Sequence, residues 1–147
     1  MDYLGTKKME QKINSIRDDR GYNPKQAALL LMPYVKMHEQ LFPLCTPESQ
    51  MIKYEEEFAE YNEADTVEKA LKELGDCLIV ITGIMRFAPL LGACLADEIF
   101  GLAFELGKTP SEMILYVERK YKINLGRHWK FDEETKTYKH IEVDGNE

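Results

Sequence analysis

The chain has 147 residues, with 26 Asp plus Glu against 19 Lys plus Arg, and a net charge of −7. A composition of 44% apolar and 31% charged residues excludes a disordered or fibrous chain and predicts one globular domain, 1–147, able to bury a sizeable core. The acidic balance argues against a nucleic-acid coat protein, so no stable nucleic-acid binding is expected.

Residues 1–22 read as an N-terminal arm, polar and helix-forming from Lys7 to Arg20, with none of the apolar core that a signal peptide needs. Residues 23–125 read as a helical core. Asn23 as N-cap and Pro24 at the first position start a helix that carries Leu29, Leu30, Leu31, Tyr34, Met37, Leu41 and Phe42, with a kink at Pro33 and an end at Pro43. Thr46 or Ser49 starts a second helix, to about Ala64. Asp65 or Thr66 caps a third, from Val67 to Phe87. A fourth spans about Leu90 to Leu106, where Gly107 stops it. Thr109, Pro110 and Glu112 form a capping box for a fifth, from Ser111 to Lys122. Residues 126–147 form a tail in which Trp129–Phe131 and Thr137–Ile141 predict a β-hairpin, with the last six residues frayed. The expected fold class is therefore all-α, a four- to five-helix bundle with a short C-terminal hairpin or extended tail.

Cys45, Cys77 and Cys94 are odd in number and lack a C-x-x-C spacing, which fits neither a disulfide framework nor a zinc site. Two of them lie in apolar runs, so buried, reduced thiols in a cytoplasmic protein are expected. The most apolar stretch, Cys77 to Ala96, is broken by Arg86 and Pro89 and is too short to span a bilayer.

The charge is concentrated. Between Glu55 and Asp76 lie nine acidic and two basic residues, which account for the whole −7. On the second helix, Met51, Tyr54, Phe58 and Tyr61 make a core stripe. Glu57 and Glu60 are neighbours on its flank, and Glu56 lies further round. On the third helix, Glu73 and Asp76 head a face that turns wholly apolar one turn later, at Val80, Gly83 and Ile84. Leu71, Leu74, Cys77, Leu78, Ile79 and Ile81 make the other faces apolar too, so these two carboxylates point toward a packed interior. Lys69, four residues before Glu73, offers one local ion pair but cannot neutralise four acids. Two i,i+3 pairs of carboxylates on facing helices supply the hard oxygen ligands that Mg²⁺ or Mn²⁺ prefers.

Glu56-Glu57-Phe58-Ala59-Glu60, followed after twelve residues by Glu73-Leu74-Gly75-Asp76, matches E-E-x-x-E … E-x-x-D. This pattern resembles the MazG-like all-α nucleoside triphosphate pyrophosphohydrolases, a group that includes dimeric dUTPases, dCTP pyrophosphatases and phosphoribosyl-ATP pyrophosphohydrolases. The resemblance implies a helical core, Mg²⁺, and cleavage of a nucleotide to monophosphate and pyrophosphate in a nucleotide-pool role. By position it makes Glu57, Glu60, Glu73 and Asp76 metal ligands and Glu56 a catalytic, water-orienting carboxylate.

Arg119, Lys120, Lys122, Arg127 and Lys130 form a basic run without an acid. A solvated helix end explains such a run in general terms. Its spacing adds something more particular, because Tyr116, Lys120 and Asn124 share one helical face and Arg127 follows. Y-x-x-x-K-x-x-x-N-x-x-R is similar to the C-terminal nucleotide-binding motif of the dimeric dUTPases, which implies that Lys120, Asn124 and Arg127, with Tyr116, meet the phosphates and sugar. Trp129, Phe58 and Tyr54 are candidates to stack on a base, although each also fits a core position. His38, His128 and His140 are isolated, with no E-x-x-H, H-E-x-x-H, G-x-S-x-G or P-loop in the chain.

The expected function is thus Mg²⁺-dependent hydrolysis of a nucleoside triphosphate, in the first place a dNTP. Apolar surplus on the third and fourth helices predicts a homodimer or homotetramer. The alternative is a non-catalytic helical oligomer that binds a protein partner or a regulatory nucleotide.

Overall fold

A computed structural model describes residues 23–142. The expected arm at 1–22 and the chain end at 143–147 lie outside them. The described residues form five helices and one hairpin: α1 (Pro24–Leu41), α2 (Pro47–Glu63), α3 (Val67–Met85), α4 (Pro89–Glu105), α5 (Pro110–Leu125), β1 (His128–Asp132) and β2 (Thr137–Ile141).

Local chemistry sets the helix starts. The Asn23 side chain accepts from the Gln26 amide at 2.7 Å, ahead of Pro24. Thr46 and Ser49 form a reciprocal capping box for α2, Thr66 caps α3, and Thr109 with Glu112 does the same for α5. Four helices begin at a proline, whose missing N–H costs nothing there. Pro33 does not end α1, which runs through it to Leu41. α3 stops at Met85, two residues before the expected Phe87, and α5 continues to Leu125 rather than Lys122. Gly107, with φ of +92°, turns the chain out of α4 through the left-handed region.

α3 is the central helix and packs against all four others. Leu74, Cys77, Leu78 and Ile81 are fully buried on it, and Val80, Ile84 and Met85 nearly so. Each such aliphatic side chain contributes about 1.5–3 kcal/mol relative to exposure. Tyr54 is buried on α2, where Met51, Phe58 and Tyr61 pack against the core as the stripe predicts. All three cysteines are free; Cys45 and Cys77 are buried, while Cys94, which lies in an apolar run, is exposed against expectation. α4 carries apolar residues on every side, so its sequence does not mark clearly which face the other helices cover. Leu90, Leu91 and Cys94 are left outside.

The hairpin is antiparallel, with Trp129 opposite His140 and Phe131 opposite Tyr138. Asp132 Oδ1 accepts from the Glu134 amide at 2.9 Å and closes the turn, and Lys136 takes a φ of +55°. The hairpin is fastened to the bundle at two points. The Leu44 amide donates to the Tyr138 hydroxyl at 3.1 Å, and Trp129 Nε1 donates to the Asn124 carbonyl at 3.0 Å. Phe42 fits between them, edge-on to Trp129 with ring centres 4.9 Å apart. Among the described residues no helix is long and apolar enough to cross a membrane.

Candidate functional site

The helix pair α2–α3 brings Glu57, Glu60 and Glu73 together, with one carboxylate oxygen of each within 4.8 Å of the others. Glu60 is exposed and Glu57 half-buried, while the Glu73 side chain is only 15% exposed. Glu73 Oε2 is buried without a hydrogen-bond partner. Lys69 does not supply the local ion pair; it turns to Asp65 at 2.9 Å on the surface. Lys72 lies 3.8 Å from Glu73 instead, a loose contact from an exposed side chain.

Burial first, then the neighbouring charges of Asp76 and Glu60, pushes the Glu57 carboxyl up to about 8. Glu73 is raised by the same causes, with Glu60 as its main neighbour. Four acids crowd here, and the cost of crowding is visible in both groups.

Asp76, the fourth expected ligand, is held from α5. The Tyr116 hydroxyl donates to Asp76 Oδ1 at 2.7 Å. Tyr116 therefore positions a carboxylate, while the two residues that follow it on the same face, Lys120 and Asn124, line a cleft. The Tyr116 ring lies directly over Gly75, and a Cβ there would collide with it. Gly75→Ala should therefore displace Tyr116 from Asp76 and cost about 1–3 kcal/mol in chemical denaturation, with overpacking as the cause.

The cleft has a volume of about 440 Å³. Glu57 and Asp76 stand at one side of it, and Lys53, Lys120, Arg127 and Lys139 bring four cationic side chains to its walls. Glu57 belongs to both the carboxylate cluster and the cleft. Glu56, one residue earlier, is exposed and does not line the cleft.

Aromatic residues also line the cleft, Phe42 among them without any sequence signal of function. Phe42, Trp129 and Tyr138 form an aromatic group, with Phe42 5.2 Å from Tyr138 between ring centres. Of the expected stacking candidates, Tyr54 is buried core and Phe58 packs against it, which leaves Trp129 in the cleft. His38 is not isolated. It is buried and its Nδ1 lies 3.1 Å from Arg86 Nη1, a residue that the sequence marks only as a break in an apolar run. Gln50 is buried beside it.

No family model, no curated protein and no solved structure matches the chain. Its function must therefore be argued from the site itself.

Proposed function

We propose that the chain is a Mg²⁺-dependent nucleoside triphosphate pyrophosphohydrolase of the MazG-like all-α type. It would cleave a nucleotide, in the first place a dNTP, to monophosphate and pyrophosphate. The observation that carries this reading is the meeting of both charges in one cleft: Glu57 and Asp76 line it together with Lys120 and Arg127, and Glu60 and Glu73 converge on Glu57.

The residues present fit a hard divalent cation. The donors are all carboxylate oxygens, and the buried, unpartnered Glu73 Oε2 is a desolvated acceptor of the kind that a cation satisfies. Glu57, Glu60, Glu73 and Asp76 would hold Mg²⁺, or Mn²⁺ in its place. When bound, such an ion supplies Lewis-acid polarisation of phosphate oxygens and lowers the pKa of a water.

The rest falls to the chain. Lys120 and Arg127 bind the triphosphate and take up charge that the carboxylate side would repel. Tyr116 fixes Asp76 through Oδ1 and leaves its second oxygen available. Exposed Leu90, Leu91 and Phe87 around the start of α4 support assembly into a homodimer or homotetramer.

The test is a panel of NTPs and dNTPs with pyrophosphate detection, with and without Mg²⁺. Mg²⁺-dependent release from at least one is expected. Nucleotide-induced thermal stabilisation without any release would favour the binding-protein alternative. In the same assay, Lys120→Ala should raise KM for nucleotide about tenfold while the Mg²⁺-induced thermal shift persists. If neither KM nor kcat changes, Lys120 does not meet phosphate.

A further inference from the structure

The cleft is lined by more than charged groups. Aromatic rings from Phe42, Trp129 and Tyr138 meet there with the polar side chains of His38, Gln50 and Asn124. All three polar residues are at least 95% buried, so whatever their side chains present to the cleft is desolvated in advance.

Hydrogen-bond direction in this cluster follows from which groups can only donate. Arg86 Nη1 donates to the Phe42 carbonyl at 2.8 Å and lies 3.1 Å from His38 Nδ1. A guanidinium has no acceptor, so Nδ1 accepts and the ring proton sits on Nε2. Burial and the Arg86 charge hold the ring neutral. Gln50 Oε1 and His38 Nε2 converge in the space that Gly83 leaves by lacking a Cβ. Oε1 is thus the Gln50 atom turned toward the protonated Nε2, and the Gln50 amide nitrogen is the part left to serve a ligand. Asn124 complements it, because its Oδ1 is buried and has no hydrogen-bond partner. Its backbone is fixed by the Trp129 indole, which donates to the Asn124 carbonyl.

We propose that these aromatic and amide residues of the cleft bind a nucleobase. Trp129 and Tyr138 of the hairpin, with Phe42, form the aromatic wall, and Asn124 Oδ1 and Gln50 Nε2 form an acceptor–donor pair for the base edge. The assignment rests on reading the cleft as a nucleotide site, and it gives the C-terminal hairpin the role of a specificity element. Asn124 then meets the base rather than phosphate or sugar. A site built with a buried, unpaired acceptor discriminates strongly against a ligand that cannot donate to it. Aromatic faces add affinity that any base can use, so selection falls to the two amides.

Trp129 is the chain's single tryptophan, so its fluorescence reports directly on this pocket. The full chain is titrated, without added metal, with dAMP, dGMP, dCMP, dTMP, dUMP and base-free deoxyribose 5-phosphate. At least one nucleotide should perturb Trp129 saturably at roughly tenfold lower concentration than the sugar phosphate, and the bases should differ among themselves by a similar factor. Asn124→Ala should level the differences between bases. Lys120→Ala should weaken all six ligands alike. Tyr138→Ala, on the exposed hairpin and outside the helical core, should weaken the nucleotides and spare the sugar phosphate.

Six equal titrations, no response from Trp129, or an unchanged base ranking in a folded Asn124→Ala protein would overturn the proposal. If Asn124→Ala does not fold, the native titrations and Tyr138→Ala decide. Base-selective binding without pyrophosphate release from any triphosphate sinks the hydrolase reading and leaves this pocket standing. Release at equal rates from every base, with no base-dependent binding, does the reverse.

Discussion

Glu73→Gln should cut Mg²⁺-dependent pyrophosphate release about a hundredfold or more while the fold persists. Glu73 is the cluster member whose Oε2 is buried without a partner, with Glu57 and Glu60 oxygens within 4.8 Å. Glutamine keeps the volume and removes a charge that its neighbours repel, so nothing in the packing of α2 on α3 requires the carboxylate. The metal-free protein should therefore melt no lower than the native one. Its melting point should also respond much less to added Mg²⁺, because one proposed anionic ligand is gone. Loss of activity together with equal or higher stability is the signature of a functional group held against the interest of the fold. A variant that keeps both its activity and its Mg²⁺ response would end the metal assignment, and one that unfolds would show that Glu73 is structural.

The parts of the molecule legible in the sequence are those whose chemistry is local. Asn23, Thr46, Thr66 and Thr109 bond amides three residues away, so their caps and the helix starts can be read directly. Glu57 with Glu60, and Glu73 with Asp76, are i,i+3 pairs on helices whose apolar faces show which side turns inward. The opposite half of the cleft depends on contacts distant in sequence. Tyr116 reaches Asp76 across 40 residues, His38 reaches Arg86 across 48, and Tyr138 reaches Leu44 across 94. Periodicity carries no information about such pairs, which is why His38 reads as isolated and Tyr116 as a ligand-binding residue. Lys69 fails for a related reason. Spacing puts it within reach of Glu73, but Asp65, just before the helix start, is equally near in sequence and lies in water, where an ion pair needs no desolvation.

Glu57→Gln should raise the metal-free melting temperature at about pH 9 and leave it nearly unchanged near pH 5. The Glu57 carboxyl sits at about 8 in the folded chain against an ordinary 4.5. Between those values the folded state holds a proton that the unfolded state has released, so stability falls as pH rises through this window and the full penalty is present above it. Glutamine carries no charge at either pH, and its melting curve should lack that fall. Buried His38 acts in the opposite direction, since a ring held at about 3 rather than 6.5 costs stability as pH drops below 6.5. That contribution is common to both proteins and cancels in their difference, which is therefore the quantity to measure. Mg²⁺ supplies the second axis. At high pH the ionised Glu57 would serve as a ligand under the proposed function, so added Mg²⁺ should recover much of the native protein's lost stability and little of the variant's. Melting curves that stay parallel across this pH range, with equal Mg²⁺ shifts, would mean that Glu57 neither feels its neighbours' charge nor binds the ion.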